Sequence, residues 1–335
     1  MHEPALRAAA FGGDPLPEPA VVRGSGTPRE RLLAAIVLGA QGRYAAAAML
    51  LDRLRGGDDP VTASLAASTL ASHRRQLGGH RQARALDGEA FAKAAHLETA
   101  PAETGTGAAV GRGPEAGTGA AVGRSSEAAT GAAVGREPET TATATTSAAA
   151  EPDPDGLDAA GARADALLGL AADNLALGRL AAARRLAERA AAEDSRWRAT
   201  VRGGWVGAEI ALAAGQGAEA VPHARRAFET ARARGARRHA VKSGIVLAVA
   251  LRAAGAPDHR KISDDLVGNA MAAAEECELL SLSWPAALVA ADLRPGHAEE
   301  YRFRVAQVLH AVLRSADPCG RRVAGESPWV PVPGG

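Results

Sequence analysis

Cysteine, lysine, aromatic residues and long apolar runs are all scarce in this chain, and each shortage closes a line of inference. The two cysteines, Cys277 and Cys319, sit in no metal-ligand spacing, and two thiols in 335 residues do not make a disulfide framework. That usage fits a reducing compartment. The longest apolar run, Gly244 to Leu251, falls well short of the ~20 residues that span a bilayer, so no membrane partner is expected. The N-terminal stretch MHEPALRAAAFGGDPLPEPA has no basic region followed by an apolar one, so no secretory leader is expected and the expected location is cytoplasmic. Aromatic residues make up 3% of the chain, and strand formers are sparse throughout. Three lysines stand against 36 arginines, a bias that reads as GC-rich codon usage before it reads as chemistry.

Catalytic and cofactor signatures are missing too. No histidine lies three or four positions from another, and no HExxH, Ca-loop or GxSxG pattern occurs. Gly105, Gly107 and Gly111 form GxGxxxG, but no strand precedes them, and a dinucleotide fingerprint works only between a strand and a helix. His80, His310 and Cys277 read as packing residues. The expectation is a chain that is not an enzyme and holds no cofactor or metal.

What is abundant is alanine, the best helix former, which favours an all-α fold. Leu32 to Leu54 reads LLAAIVLGAQGRYAAAAMLLDRL: two apolar helical stretches separated by a turn so short that they must lie back to back. Thr27, Pro28 and Glu30 supply an N-cap, a first-position proline and a first-turn acid for the opening helix. A second hairpin runs from Val61 to about Glu98, and aligning Ala47 with Ala83 places Gly42 on Gly78 and Tyr44 on His80, a repeat of 36 residues. Leu170, Gly178, Ala183 and Ala190 mark a third unit, and Gly215, Ala220 and Ala227 a fourth. A fifth begins near Arg237, with a longer turn from Gly255 to Lys261 and a second helix restarting at Ser263.

Residues 106–112, 118–124 and 130–136 all read TGAAVGR, a 12-residue tandem repeat of the sort found where packing imposes nothing, and 99–155 is predicted to be a disordered linker with a net charge of −5. Prolines 4, 15, 17 and 19 mark 1–27 as a flexible arm. Residues 28–98 hold the first two hairpins and 156–314 the remaining ones. Within that second block, 281–292 is expected to break near Pro285, and an amphipathic helix over 297–314 is expected to cap the array. Residues 315–335 are predicted to be a loose tail.

The repeat resembles the tetratricopeptide repeat, through Gly42, Tyr44 and Ala47 in the first unit and Leu70, Gly78, Ala83 and Ala90 in the second. The resemblance implies an α-solenoid of antiparallel helix pairs wound as a right-handed superhelix, about five pairs and a cap, with a long disordered insertion. It implies a non-catalytic adaptor or regulator that binds a protein segment along the concave groove formed by the first helices. The groove positions it implies are Arg75, Arg202, Trp205, Glu209, Lys242 and Arg252. The family's Lys and Asn clamp for a C-terminal carboxylate is absent.

Charge supplies the ligand class and the alternative. The whole chain is at +1, but Arg196 to Lys261 holds 13 basic and 4 acidic residues, a net of +9. Such a stretch suits an acidic or amphipathic peptide, with the acidic linker as an in-chain candidate. The alternative is a nucleic-acid-associated regulator using that same Arg-rich region. The plain reading is a solvated arginine face.

Overall fold

A computed structural model of the chain describes residues 2–95 and 151–331, and the disorder expected for the tandem TGAAVGR segment lies outside the described residues. All regular structure among the described residues is helical. Two short helices, α1 (Glu3–Phe11) and α2 (Pro19–Arg23), precede six antiparallel pairs. The pairs are α3 (Pro28–Ala40) with α4 (Tyr44–Arg55), α5 (Pro60–Gln76) with α6 (His80–Ala95), and α7 (Ala159–Ala176) with α8 (Leu180–Glu193). They continue with α9 (Trp197–Ala213) and α10 (Gly217–Ala233), α11 (Arg237–Ala254) and α12 (His259–Glu276), and α13 (Leu280–Leu293) and α14 (Ala298–Arg314), followed by α15 (Pro318–Glu326). Each pair packs on the next, α6 on α7 included, which is the stacking of an α-solenoid.

Local chemistry sets the boundaries. Thr27 accepts from the Glu30 N–H while Glu30 reaches back to the Thr27 N–H, a complete capping box on α3. Asp59 caps α5 by accepting from the Val61 and Thr62 N–H groups, and Asp158 caps α7 by accepting from the Gly161 N–H. Ala47, Ala83, Ala183 and Ala220 are all fully buried, letting the paired helices approach closely.

The array closes on itself. Tyr44 and Leu77, from the first two pairs, share one apolar cluster with Trp284, Leu309, Val312 and Val323 from the last helices. The Ala45 N–H donates to the Ser315 carbonyl at 2.8 Å. Gly42, at φ +74°, would place a Cβ 2.9 Å from Val312 Cγ2, so both its backbone and its missing side chain matter to the junction.

Several expectations are corrected. The 1–27 arm contains α1, whose Leu6, Ala9, Ala10 and Phe11 are buried with the α3 core; Pro4 lies in the first turn, where it removes no helical bond. The end of the supposed linker is ordered: Asp153 pairs with Arg7 and Arg29, and Asp155 pairs with Arg7 and Arg234 and accepts from the Trp197 indole N–H at 3.0 Å. Helix α12 starts at His259, and Ser263 is no cap but a buried donor to the Ala248 carbonyl at 2.8 Å. Pro285 does not break α13, where burial of Trp284, Ala286 and Ala287 offsets one lost hydrogen bond. There are six pairs rather than five, because α14 is the second helix of a pair with α13 and seals the junction instead of ending the array. The expected loose tail contains α15 over Pro318–Glu326, with Val323 and Ala324 buried.

Candidate functional site

Closure turns the concave face inward. The first helices of all six pairs, together with Phe11 of α1, surround a cavity of about 80 Å³. Its wall carries four cations, Arg198 and Arg202 on α9 and Arg238 and Lys242 on α11, against the single carboxylate of Asp165 on α7. Both cation pairs sit at i, i+4, which puts them on one helix face and makes each pair mutually repulsive.

The cations are not equally satisfied. Arg198 donates to Asp165 at 2.5 Å and to the carbonyls of Asp155 and Gly156, which binds the docked 153–158 segment to α9. Arg202 also pairs with Asp165. Arg238 has no ion pair or hydrogen bond among the described residues, and its buried Nε has no partner. Burial, with Arg202 and Arg198 nearby, pulls Arg238 down to about 10. Lys242 has no carboxylate within pairing distance among the described residues; its Nζ lies 4.3 Å from the Trp205 ring centroid. Burial and the cations Arg75, Arg202 and Arg238 bring it down to about 8, with Glu209 acting against them.

Aromatic and imidazole rings frame these charges. Trp205 stacks on His239 with centroids 5.7 Å apart, and its indole N–H donates to Ser243 at 2.8 Å. His239 also meets Trp197 and Phe11. On the opposite wall His73 rests on Tyr44, in a space that exists because residue 39 is glycine: a Cβ there would fall 2.0 Å from His73 Nε2. Both imidazoles are buried with Nδ1 unpartnered. Burial and nearby Arg238 lower His73 to about 3 and push His239 well below the usual imidazole range, so both are neutral near pH 7.

Of the residues expected to line a groove, Arg202, Trp205 and Lys242 come together at the cavity. Arg75 is bound instead to Asp87 and Asp173, with His80 Nδ1 3.2 Å from Asp173, in a cluster behind the wall. Burial and Asp173 push Asp87 up well above the carboxylate range despite Arg75, while the hydrogen bond from His80 and the charge of Arg75 outweigh burial and hold Asp173 down. Glu209 is half-buried one turn beyond Trp205. Arg252 lies away from the others, donating to the Leu293 carbonyl at 3.3 Å. Asp165, Arg198, Arg238, His239 and His73 were not singled out by the sequence. Two of the signals are in the sequence: like charges at i, i+4 on α9 and α11, and an acid, Asp165, inside the apolar α7.

A second concavity lies on the other side of α11. Two adjoining cavities of about 570 and 650 Å³ share Phe228, Arg232 and Leu266 and form one trough between α10 and α12. Val241, Gly244, Leu247 and Leu251 make its floor, and Ile262 on the rim is 46% exposed. At Gly244 the floor is bare backbone, where a Cβ would find ordinary contact with Phe228 at 3.6 Å. Arg225, Arg232 and Arg237 line the trough with Glu229 and Glu276, the last paired to Arg237.

Among the described residues no group of His, Cys, Asp and Glu could hold a metal ion, and no helix is long and apolar enough to cross a membrane. No protein-family model and no curated protein matches the chain.

Proposed function

We propose that the chain is a non-catalytic interaction protein, an adaptor or regulator, that receives an amphipathic helical segment of a protein partner in the trough between α10 and α12. One observation carries this reading: a continuous apolar trough across α11, with Phe228, Leu266 and Ile262 on its walls and arginines on its rim. An amphipathic helix laid into such a trough buries its apolar stripe, and acidic flanks would meet Arg225 and Arg232. The concave face gives a peptide less room, since about 80 Å³ admits no extended segment.

The nucleic-acid alternative keeps less support than the net charge of 196–261 suggested. Arg196 is tied to Asp158 and Asp194, Arg198 and Arg202 to Asp165, and Arg238 and Lys242 face the cavity. Arg225, Arg226, Arg232, Arg234, Arg260 and Lys261 remain exposed.

The test is fluorescence anisotropy with a labelled helical peptide carrying Leu at i, i+3, i+4 and i+7 and Glu elsewhere. Gly244→Leu fills the floor of the trough and should weaken binding about tenfold or more without lowering Tm. Equal affinity in wild type and Gly244→Leu removes the reading. Binding to random duplex DNA that falls steeply with salt, and is lost in Arg225→Ala/Arg226→Ala, would favour the alternative.

A further inference from the structure

We propose that the central cavity is a binding site for one compact phosphoryl-type oxyanion, held between Arg238 and Lys242 of α11 with Arg202 of α9 completing the charge. This goes beyond the adaptor reading and does not depend on it, because the trough and the cavity lie on opposite sides of α11 and share no lining residue.

Four observations lead to it. The wall carries three more positive than negative side chains, four cations against Asp165. Arg75, just behind it, is already bound to Asp87 and Asp173, so its side chain is not available to a ligand although its charge is felt by Lys242 and Arg202. Arg238 and Lys242, both half-buried, have no carboxylate within ion-pairing distance among the described residues, Glu209 acting on Lys242 only from farther off, and a desolvated charge left so is destabilising unless a ligand supplies its partner. The imidazoles of His73 and His239, 3% and 4% exposed, line the cavity, and each has a buried Nδ1 with no partner among the described residues. Finally, neutral donors are at hand. Ser72 lines the wall, and Gln76 accepts from the Tyr44 hydroxyl through Oε1, which leaves its amide N–H groups free to donate.

Size and charge select the class. A cavity of about 80 Å³ far exceeds the ~15 Å³ that one water requires, and it holds a tetrahedral oxyanion without an attached nucleoside. A guanidinium, an ammonium and hydroxyl and amide donors arriving from different helices suit several oxygens pointing in different directions better than a planar carboxylate. The shared chemistry is the phosphoryl group, whether free or carried as an ester on a short peptide side chain.

The experiment measures Tm of the full chain against inorganic phosphate, a phosphoserine tripeptide and chloride at matched ionic strength. Free phosphate should raise Tm saturably, by about 2 °C at ten times its half-saturating concentration, while chloride does not. A rise with the tripeptide alone would also support the site, and would identify a tethered source. Arg238→Met and Lys242→Met should each have a higher Tm than wild type without phosphate and lose the phosphate response, whereas Arg234→Met, altered on the surface, should keep it. The peptide affinity of the trough should not change in either cavity variant. No response to either phosphoryl probe overturns the proposal, and so does a phosphate response that is undiminished in Lys242→Met and Arg238→Met.

Discussion

Arg74 Nη1 lies 2.7 Å from Asp317 Oδ2, although 243 positions separate the two residues. Arg74 is near the end of α5 and Asp317 caps α15, accepting the Gly320 N–H, so this pair joins the second hairpin to the last helix of the chain. The hydrogen bonds from Arg74 and Gly320 outweigh burial and hold the Asp317 carboxyl below its usual range. Joining the ends changes what the concave face is. In an open solenoid it would be a groove; here it is the wall of a cavity lined with charge.

The junction should respond to the loss of one hydrogen-bonded turn's glycine more than an open turn does. Gly42→Ala forces a non-glycine residue to φ +74° and drives its Cβ against Val312. Gly178→Ala meets the same backbone penalty at φ +76° with open space around it. Urea denaturation should show a loss of about 1 kcal/mol for Gly178→Ala and about 2–4 kcal/mol for Gly42→Ala. Equal losses would mean that Gly42 is not packed at a junction.

These two glycines also show how far the sequence could be read. Gly42, Gly78, Gly178 and Gly215 all occupy the left-handed turns between paired helices, so the glycines marked the turns of four of the six hairpins. Local composition failed where long-range packing decides. The prolines around α1 suggested a loose arm, yet Phe11 is buried against residues more than 180 positions away, including Trp197 and His239. The charge of 196–261 was summed as if it faced one way. In the structure α9 and α11 turn Arg198, Arg202, Arg238 and Lys242 inward, while α10 keeps Arg225 and Arg226 outside. A sum over sequence cannot separate those faces, whereas the i, i+4 spacing can.

Asp165 is the one carboxylate on the cavity wall and serves two arginines. Asp165→Asn should therefore destabilise the protein by about 3–5 kcal/mol, because it leaves the buried Arg198 and the half-buried Arg202 without their carboxylate. Glu299→Gln, at an exposed carboxylate whose one pairing among the described residues is with Arg302, should cost less than about 0.5 kcal/mol. Equilibrium unfolding of both variants makes the comparison.

Acid should weaken the fold through its buried imidazoles. His73 has a folded-state value of about 3 against 6.5 when unfolded, so its contribution is intact above pH 6.5 and declines as pH falls from 6.5 towards 3. His239 acts in the same direction. Between pH 6 and 4.5, before most carboxylates titrate, His73→Gln should flatten the slope of stability against pH by up to about 1.4 kcal/mol per unit. An unchanged slope would place His73 in contact with water.

The closure itself is tested most directly by a double-mutant cycle on the pair that spans it. Arg74→Ala, Asp317→Asn and the double variant are unfolded in urea, the asparagine keeping an acceptor for the Gly320 N–H. Because both side chains are largely buried, at 9% and 19% exposure, the account predicts a coupling energy of about 1–2 kcal/mol. Single losses that add to within about 0.3 kcal/mol would contradict it, and would leave the first helices facing an open groove.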